Sequence, residues 1–221
     1  GSEMCIRDSP YVTLSKDYVI DPGKTMAVKP LKENGKAKLE LSSIPPIDLS
    51  RRLEYLVRYP HGCIEQITSG AFPQLYLPSV VECDANMLQD IDRNVKSVLS
   101  RLGSYQLSDG AFAYWSGNTS SSEWGTVYAT HFLIEAAKHG YGVDRAMLDR
   151  ALKYLRSNPS DYYLTQAYTQ YVLALNGTPT RGAMNQLREK AASLSSDAKW
   201  LLAAAYALDG NRKVAEGLIS L

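Results

Sequence analysis

The sequence predicts a mainly α protein with a short strand segment in front of it. Three observations predict this. From Asp48 to the C-terminus, apolar residues recur at three- and four-residue spacing, the period of a helix with one buried face. Three of these stretches close on a glycine after a similar run, at Gly140, Gly177 and Gly210, which lie 37 and then 33 residues apart, the length of a two-helix unit. Before Asp48 the pattern is different: residues 36–42 (Lys-Ala-Lys-Leu-Glu-Leu-Ser) alternate polar and apolar with the period of a strand. Two-helix repeats build either an open α-solenoid or a closed α/α ring, and periodicity alone does not choose between them.

The elements follow in order. Residues 1–9, which include Cys5, read as a cloning or adaptor remnant and are set aside. Residues 10–47 read as a strand stub. Thr25–Lys29 is a partner for 36–42 across Asn34-Gly35, and Pro22-Gly23 marks an earlier turn. Ile44-Pro45-Pro46 breaks the chain. Asp48 then caps a helix carrying Leu49, Leu53, Leu56 and Val57, which Tyr59-Pro60 ends. A second helix starts near Cys63, with Ile64, Ile67 and Ala71 in a stripe, and Pro73 breaks it. Asp84 opens a longer helix with Met87, Ile91, Val95, Val98 and Leu102 inward. Residues 103–122 form a Gly/Ser-rich loop. Helices are expected over 124–139, 144–157, 161–176, 179–193, 197–209 and 211–221. Asp144, Ser160 and Thr178 before Pro179 serve as start signals.

With 221 residues, 45% of them hydrophobic, a packed core is within reach. Net charge is +1, from 24 basic and 23 acidic residues without a long run of either sign, which argues against nucleic acid as a partner. No stretch has the length and apolarity of a bilayer span, so no direct membrane contact is expected. No metal-ligand spacing or Gly-rich phosphate loop appears, so no cofactor is expected. Of the three cysteines, Cys83 reads as a lone structural thiol.

The chemistry concentrates at Gly62-Cys63-Ile64-Glu65-Gln66. Cys63 and Gln66 are three apart, about one helical turn, so their side chains share a face. A thiol in the first turn of a helix meets free N–H groups and the positive end of the macrodipole, which favour the thiolate. Such a thiolate can attack the carboxamide, expel ammonia and close an internal thioester. Gly62 permits the tight bend in front of it. Glu65 is placed to orient the amide or move a proton. The alternative is a buried helix-start cysteine beside an ordinary glutamine.

The run Tyr59-Pro60-His61-Gly62-Cys63-Ile64-Glu65-Gln66 resembles the thioester region of bacterial alpha-2-macroglobulins. So do Asp109-Gly110-Ala111-Phe112-Ala113-Tyr114-Trp115 and the run from Glu123 to Thr130. The resemblance covers roughly residues 36 to 221. It implies an α/α toroid inserted into a small (CUB-like) β domain, so residues 10–47 become a stub of that host domain. Residues 48–221 become the toroid, expected to lack its last hairpins. It further implies a broad-spectrum endopeptidase inhibitor of the periplasm or cell envelope, not an enzyme, that traps target proteases covalently through their surface amines. Its other partners would be the remaining domains of the parent.

A thioester must be kept dry, and Tyr59, Tyr114, Trp115, Trp124 and Tyr128 are candidate shields, against the plainer reading of core packing. Much of the cover in this family comes from a neighbouring domain, so this chain by itself is expected to hold a free thiol. His61 and His131 are candidate supports, or respectively a loop residue and a satisfied core residue. In some complement components a histidine far downstream attacks the thioester first. Here the last one, His139, is only 76 residues after Cys63, which favours direct attack by amines. Two rivals stand beside this reading. A protein-binding α-solenoid explains the repeats but not the Cys-x-Glu-Gln run. A thiol hydrolase or transferase would need His61 or His131 to activate Cys63.

Overall fold

The computed structural model describes residues 14, 16, 18–29, 39, 41 and 56–220. By its contacts the chain divides into two compact units, Gly1–Ile47 and Asp48–Leu221. In the first unit Lys24 N–H donates to Asp21 O at 3.0 Å, closing a turn at Pro22-Gly23 in which Gly23 has φ +77°. The strand expected at Thr25–Lys29 is absent. These residues are exposed and irregular. Leu39 and Leu41 also lie outside any strand and are exposed. The remainder of that strand, the turn at Asn34-Gly35, residues 1–9 and the body of the helix expected from Asp48 fall outside the described residues. Leu56 and Val57, expected at the end of that helix, lie in a turn and in irregular chain.

The described helices of the second unit are α1 (Ile64–Ala71), α2 (Leu77–Val80), α3 (Ala85–Leu102), α4 (Glu123–Lys138), α5 (Arg145–Ser157), α6 (Tyr163–Leu175), α7 (Arg181–Glu189), α8 (Ser196–Leu208) and α9 (Arg212–Ile219). A 3-10 turn at Pro73–Leu75 follows α1, because Pro73 cannot continue its ladder. Asp84, Ser122, Asp144 and Ser195 each accept the backbone N–H three residues on, capping α3, α4, α5 and α8.

Helices α4, α6 and α8 pack side by side, and each carries an amphipathic neighbour on its other side, α5, α7 and α9 in turn. The first set is apolar nearly all round. The second shows one narrow buried stripe each, such as Met184 and Leu187 on α7. This two-layer arrangement is that of an α/α toroid. The three glycines expected to close the repeats do so identically. Gly140, Gly177 and Gly210 have φ of +84°, +74° and +84°, and nothing lies within 4 Å of where a Cβ would stand, so backbone conformation alone selects glycine. Beyond each, the N–H of Tyr141, Thr178 or Asn211 returns to the carbonyl of Ala136, Leu173 or Tyr206 at 3.0, 2.9 and 2.8 Å, the Schellman closure.

Two starts differ from expectation. The seventh helix begins at Arg181 with Thr180 as its cap residue, not at Pro179. Thr178 is already engaged: its hydroxyl donates to Leu173 O at 3.2 Å and accepts from Arg156 at 2.6 Å, so it ends α6 instead of starting α7. Ser160 accepts Tyr162 N–H at 3.1 Å but lies in the loop, and α6 starts at Tyr163.

Candidate functional site

Ile64 and Ile67 are fully buried, and each such side chain contributes about 1.5–3 kcal/mol, so α1 is fixed by its apolar stripe. That places Cys63 at its N-cap, in extended conformation with φ −69° and ψ 172°, and only 2% exposed. The cap is reciprocal. Cys63 N–H donates to Gln66 Oε1 at 3.1 Å, while the Gln66 N–H faces the Cys63 side chain. The thiol and the carboxamide are therefore folded onto each other across one turn, in an exposed Gln66 and a buried Cys63 that is a free thiol. Gly62 makes room for this. Its φ is +110°, and a Cβ there would lie 1.8 Å from Gln66 Oε1.

The loop before Cys63 is held by one face of α3 and its extension. Tyr59 Oη pairs with Ser97 Oγ at 2.7 Å, Arg101 donates to Pro60 O, and Tyr105 Oη donates to Gly62 O at 2.7 Å. Positions 97, 101 and 105 are four apart, so successive turns grip successive parts of the loop. Tyr105 also accepts Ala113 N–H at 2.8 Å through its carbonyl, and Tyr114 O accepts Ile64 N–H at 2.9 Å. The stretch from Ala111 to Tyr114 is thereby stitched against the start of α1. Thr126 Oγ1 accepts Phe112 N–H at 2.9 Å from the other side. The buried Gln74 amide reaches the carbonyls of Leu56, Arg58 and Gly70 at 3.2, 3.1 and 2.8 Å, and Asn94 donates to its oxygen at 3.1 Å. Arg101, Tyr105, Gln74 and Asn94 carry no motif signal in the sequence. Polar residues on a helical face read as solvated there.

Of the residues expected to shield the pair, Tyr114 lies beside the start of α1, its carbonyl accepting Ile64 N–H at 2.9 Å. The neighbouring Cys63 side chain, then burial and the Glu65 carboxylate, hold its hydroxyl above the usual phenol range. Trp115 packs edge-on against the Tyr114 ring with centroids 5.7 Å apart. Tyr59 lies over His61 at 4.6 Å. Trp124 and Tyr128 belong to an aromatic row: Trp124 is 5.2 Å from the Tyr168 ring, and Tyr128 is 5.7 Å from Phe72 and accepts the Ser69 hydroxyl at 3.2 Å. His131 belongs to this row. Its Nδ1 is 2.8 Å from Tyr168 Oη, its ring meets Phe72 edge-on at 4.8 Å, and burial pushes its pKa down to about 4. Neither His61 nor His131 is hydrogen-bonded to Cys63. Cys83 is half-buried, with its thiol pushed up by burial and then by Asp84.

The family profile described as "A-macroglobulin TED domain" matches residues 40–162, more than half of the chain. The chain belongs to this family. The TED domain described here is 30% identical to Escherichia coli alpha-2-macroglobulin over 214 residues, 85% of this chain but 13% of the relative. It superposes on Salmonella alpha-2-macroglobulin reacted with methylamine with a TM-score of 0.66, at 28% identity over 80% of this chain and 13% of that one. Against trypsin-activated alpha-2-macroglobulin from Escherichia coli the TM-score is 0.62, at 29% identity over 73% of this chain and 13% of that one. This TED domain thus spans about an eighth of the length of the alpha-2-macroglobulins it matches.

Proposed function

We propose that this domain carries an internal thioester between Cys63 Sγ and Gln66 Cδ, and that its parent uses the bond to trap proteases. The parent is read as a broad-spectrum endopeptidase inhibitor of the periplasm or cell envelope. The observation that carries the reading is the reciprocal Cys63–Gln66 cap, with Gly62 vacating the space the carboxamide oxygen needs.

In this mechanism the Cys63 thiol adds to Gln66 Cδ, ammonia leaves with the thiol proton, and the S–C bond closes. Cys63 N–H already points at Oε1, so it stabilises the oxyanion that forms when Cδ becomes tetrahedral. Cleavage of a bait region elsewhere in the parent uncovers the bond. A lysine amine of the attacking protease then adds to Cδ, Sγ departs and takes up a proton, and the protease is left amide-linked to residue 66. The bond is used once, so this is a trap and not a turnover catalyst. Tyr59, Tyr114, Trp115, Trp124 and Tyr128 supply the near cover in this reading. Glu65 and His61 flank the bond, and other domains of the parent complete its cover. That a Salmonella relative was solved after reaction with methylamine, and an Escherichia coli relative after activation by trypsin, supports the reading by likeness. A thiol hydrolase is less well supported, because neither His61 nor His131 is hydrogen-bonded to Cys63.

The test is uptake of methylamine by the full-length parent. Peptide mass spectrometry is expected to find methylamine on Gln66 and one new free thiol at Cys63, and neither in Cys63→Ala. A parent that takes up no amine at Gln66 sinks the proposal.

A further inference from the structure

We infer that Tyr105 is a positioning residue of this site: its hydroxyl clamps the Gly62 carbonyl and so aims the Cys63 N–H at the acyl oxygen of residue 66. The inference rests on the thioester reading above and adds to it a residue outside the reactive pair. One peptide unit carries the argument. The Gly62 carbonyl and the Cys63 N–H belong to the same planar group and point in opposite directions. At one end Tyr105 Oη donates to Gly62 O at 2.7 Å. At the other, Cys63 N–H donates to Gln66 Oε1 at 3.1 Å. Fixing one end of a rigid plane fixes the other. Gly62 supplies little restraint of its own. Its φ is +110°, and the missing Cβ that admits the Gln66 carboxamide also leaves the following peptide freer to rotate. The restraint therefore comes from outside the segment.

Tyr105 is itself firmly held. It is 4% exposed and belongs to the core that contains Leu102 and Phe112. Its N–H donates to Leu102 O at 3.0 Å and its carbonyl accepts Ala113 N–H at 2.8 Å, so the ring leaves a backbone tied on both sides. Four residues earlier Arg101 donates to Pro60 O and steadies the same loop. The hydroxyl also acts through the peptide electronically, because a carbonyl that accepts a hydrogen bond makes the N–H of its own group a stronger donor. In aminolysis R–NH2 adds to Cδ and the carbonyl pair moves onto Oε1, where the Cys63 N–H meets the developing oxyanion. The pair then returns, the Cδ–Sγ bond breaks with its electrons on sulfur, and the proton lost by nitrogen ends on Sγ. The sum is thioester plus amine to amide plus thiol. Tyr105 keeps its own proton throughout.

The experiment uses the full-length parent. It reads the infrared band of the thioester carbonyl, then the rate of thiol release at Cys63 during methylamine treatment. The unmodified protein is compared with Tyr105→Phe, Tyr105→4-methylphenylalanine and Tyr105→4-aminophenylalanine. The methyl group fills the place of the hydroxyl but donates nothing, whereas the amino group donates from the same place. Losing an oxyanion donor outright slows acyl transfer on the order of 100-fold or more, and in Tyr105→Phe the donor is loosened and not lost, so release about tenfold slower is expected. The carbonyl band is expected to move to higher frequency, since a carbonyl with a weaker hydrogen bond is stiffer. Tyr105→4-aminophenylalanine should return both readings toward the unmodified protein, and Tyr105→4-methylphenylalanine should return neither. Where Tyr105→Phe fails to fold or to close the thioester, the amino and methyl forms are compared for closure, with the amino form expected to close more completely. An amino form no better than the methyl form overturns the inference. So does a Tyr105→Phe whose rate and band are unchanged, or whose release slows while the band stays in place. Failure of the unmodified parent to take up methylamine is a separate outcome, which overturns the thioester reading itself.

Discussion

The half of the helical unit that carries Cys63 and the half that carries the last repeats are packed by different means. Around α1, α3 and α4 the core is built from large side chains: Ile64, Ile67, Val95, Leu102, Phe112, Phe132 and Leu133 are all buried. Around α6, α8 and α9 it is built largely from alanines, at 167, 174, 191, 198, 203, 205 and 215. Small residues let regular helices approach closely and need little else. Large residues leave room between helices, and that room holds irregular chain such as residues 58–63 and 105–122. Irregular chain pairs only briefly with itself, at Gln106–Phe112 and Ala113–Ser121, so side chains meet several of its remaining carbonyls and N–H groups: Gln74, Arg101, Tyr105 and Thr126. The Cys63–Gln66 pair sits in the half where side chains help hold the backbone outside the helices.

Three experiments bear on this contrast, the largest effect first. Phe132 is completely buried and meets Phe72 edge-on at 5.7 Å. Phe132→Ala is expected to cost about 3–5 kcal/mol in urea denaturation, and hydrogen exchange should place the loss in α1, α3 and α4 before α8 and α9. A uniform rise in exchange along the chain would mean that the two halves open as one.

The second concerns acid. The unfolded chain protonates His131 at its ordinary value of 6.5, whereas the folded protein resists until about 4, chiefly through burial, with Glu135 opposing and Lys138 reinforcing. The folded state is therefore fully favoured above about pH 6.5 and loses stability as pH falls toward about 4, by up to about 3 kcal/mol, levelling off below. Melting temperature against pH should show this descent, and His131→Gln should flatten it. An unchanged descent in that variant would assign the acid sensitivity to other groups.

The third sets one glycine of each half side by side. Gly177→Ala meets open space and only the cost of a positive φ, so about 1 kcal/mol is expected and the site is untouched. Gly62→Ala pays a similar backbone cost, but its Cβ collides with Gln66 Oε1, so methylamine uptake by the parent should fall to background. Equal effects of the two on uptake would remove the special standing of Gly62.

The sequence was most informative where local rules suffice. Helix starts at Asp84 and Asp144, the stripe of Ile64, Ile67 and Ala71, the break at Pro73 and the three closing glycines all follow from caps, periodicity and backbone freedom. The proximity of Cys63 and Gln66 was legible too, because one helical turn fixes it. What was not legible depends on distant partners. Thr178 reads as a cap for the next helix until Arg156 and Leu173 are seen to occupy it. Tyr105 reads as a loop aromatic, and Gln74 as an unremarkable polar residue after a proline, until the carbonyls they serve are known. Thr25–Lys29 has the composition of a strand but forms none.

Gln74 has one further consequence. Its amide gathers Leu56 and Arg58 from before the reactive segment and Gly70 from after it. The two ends of residues 58–70 are thereby knotted at a single buried point. Any shift of the chain at Leu56 or Arg58 relative to Gly70 has to break bonds to this one buried amide, so both flanks of the Cys63 turn are held in register by a single side chain.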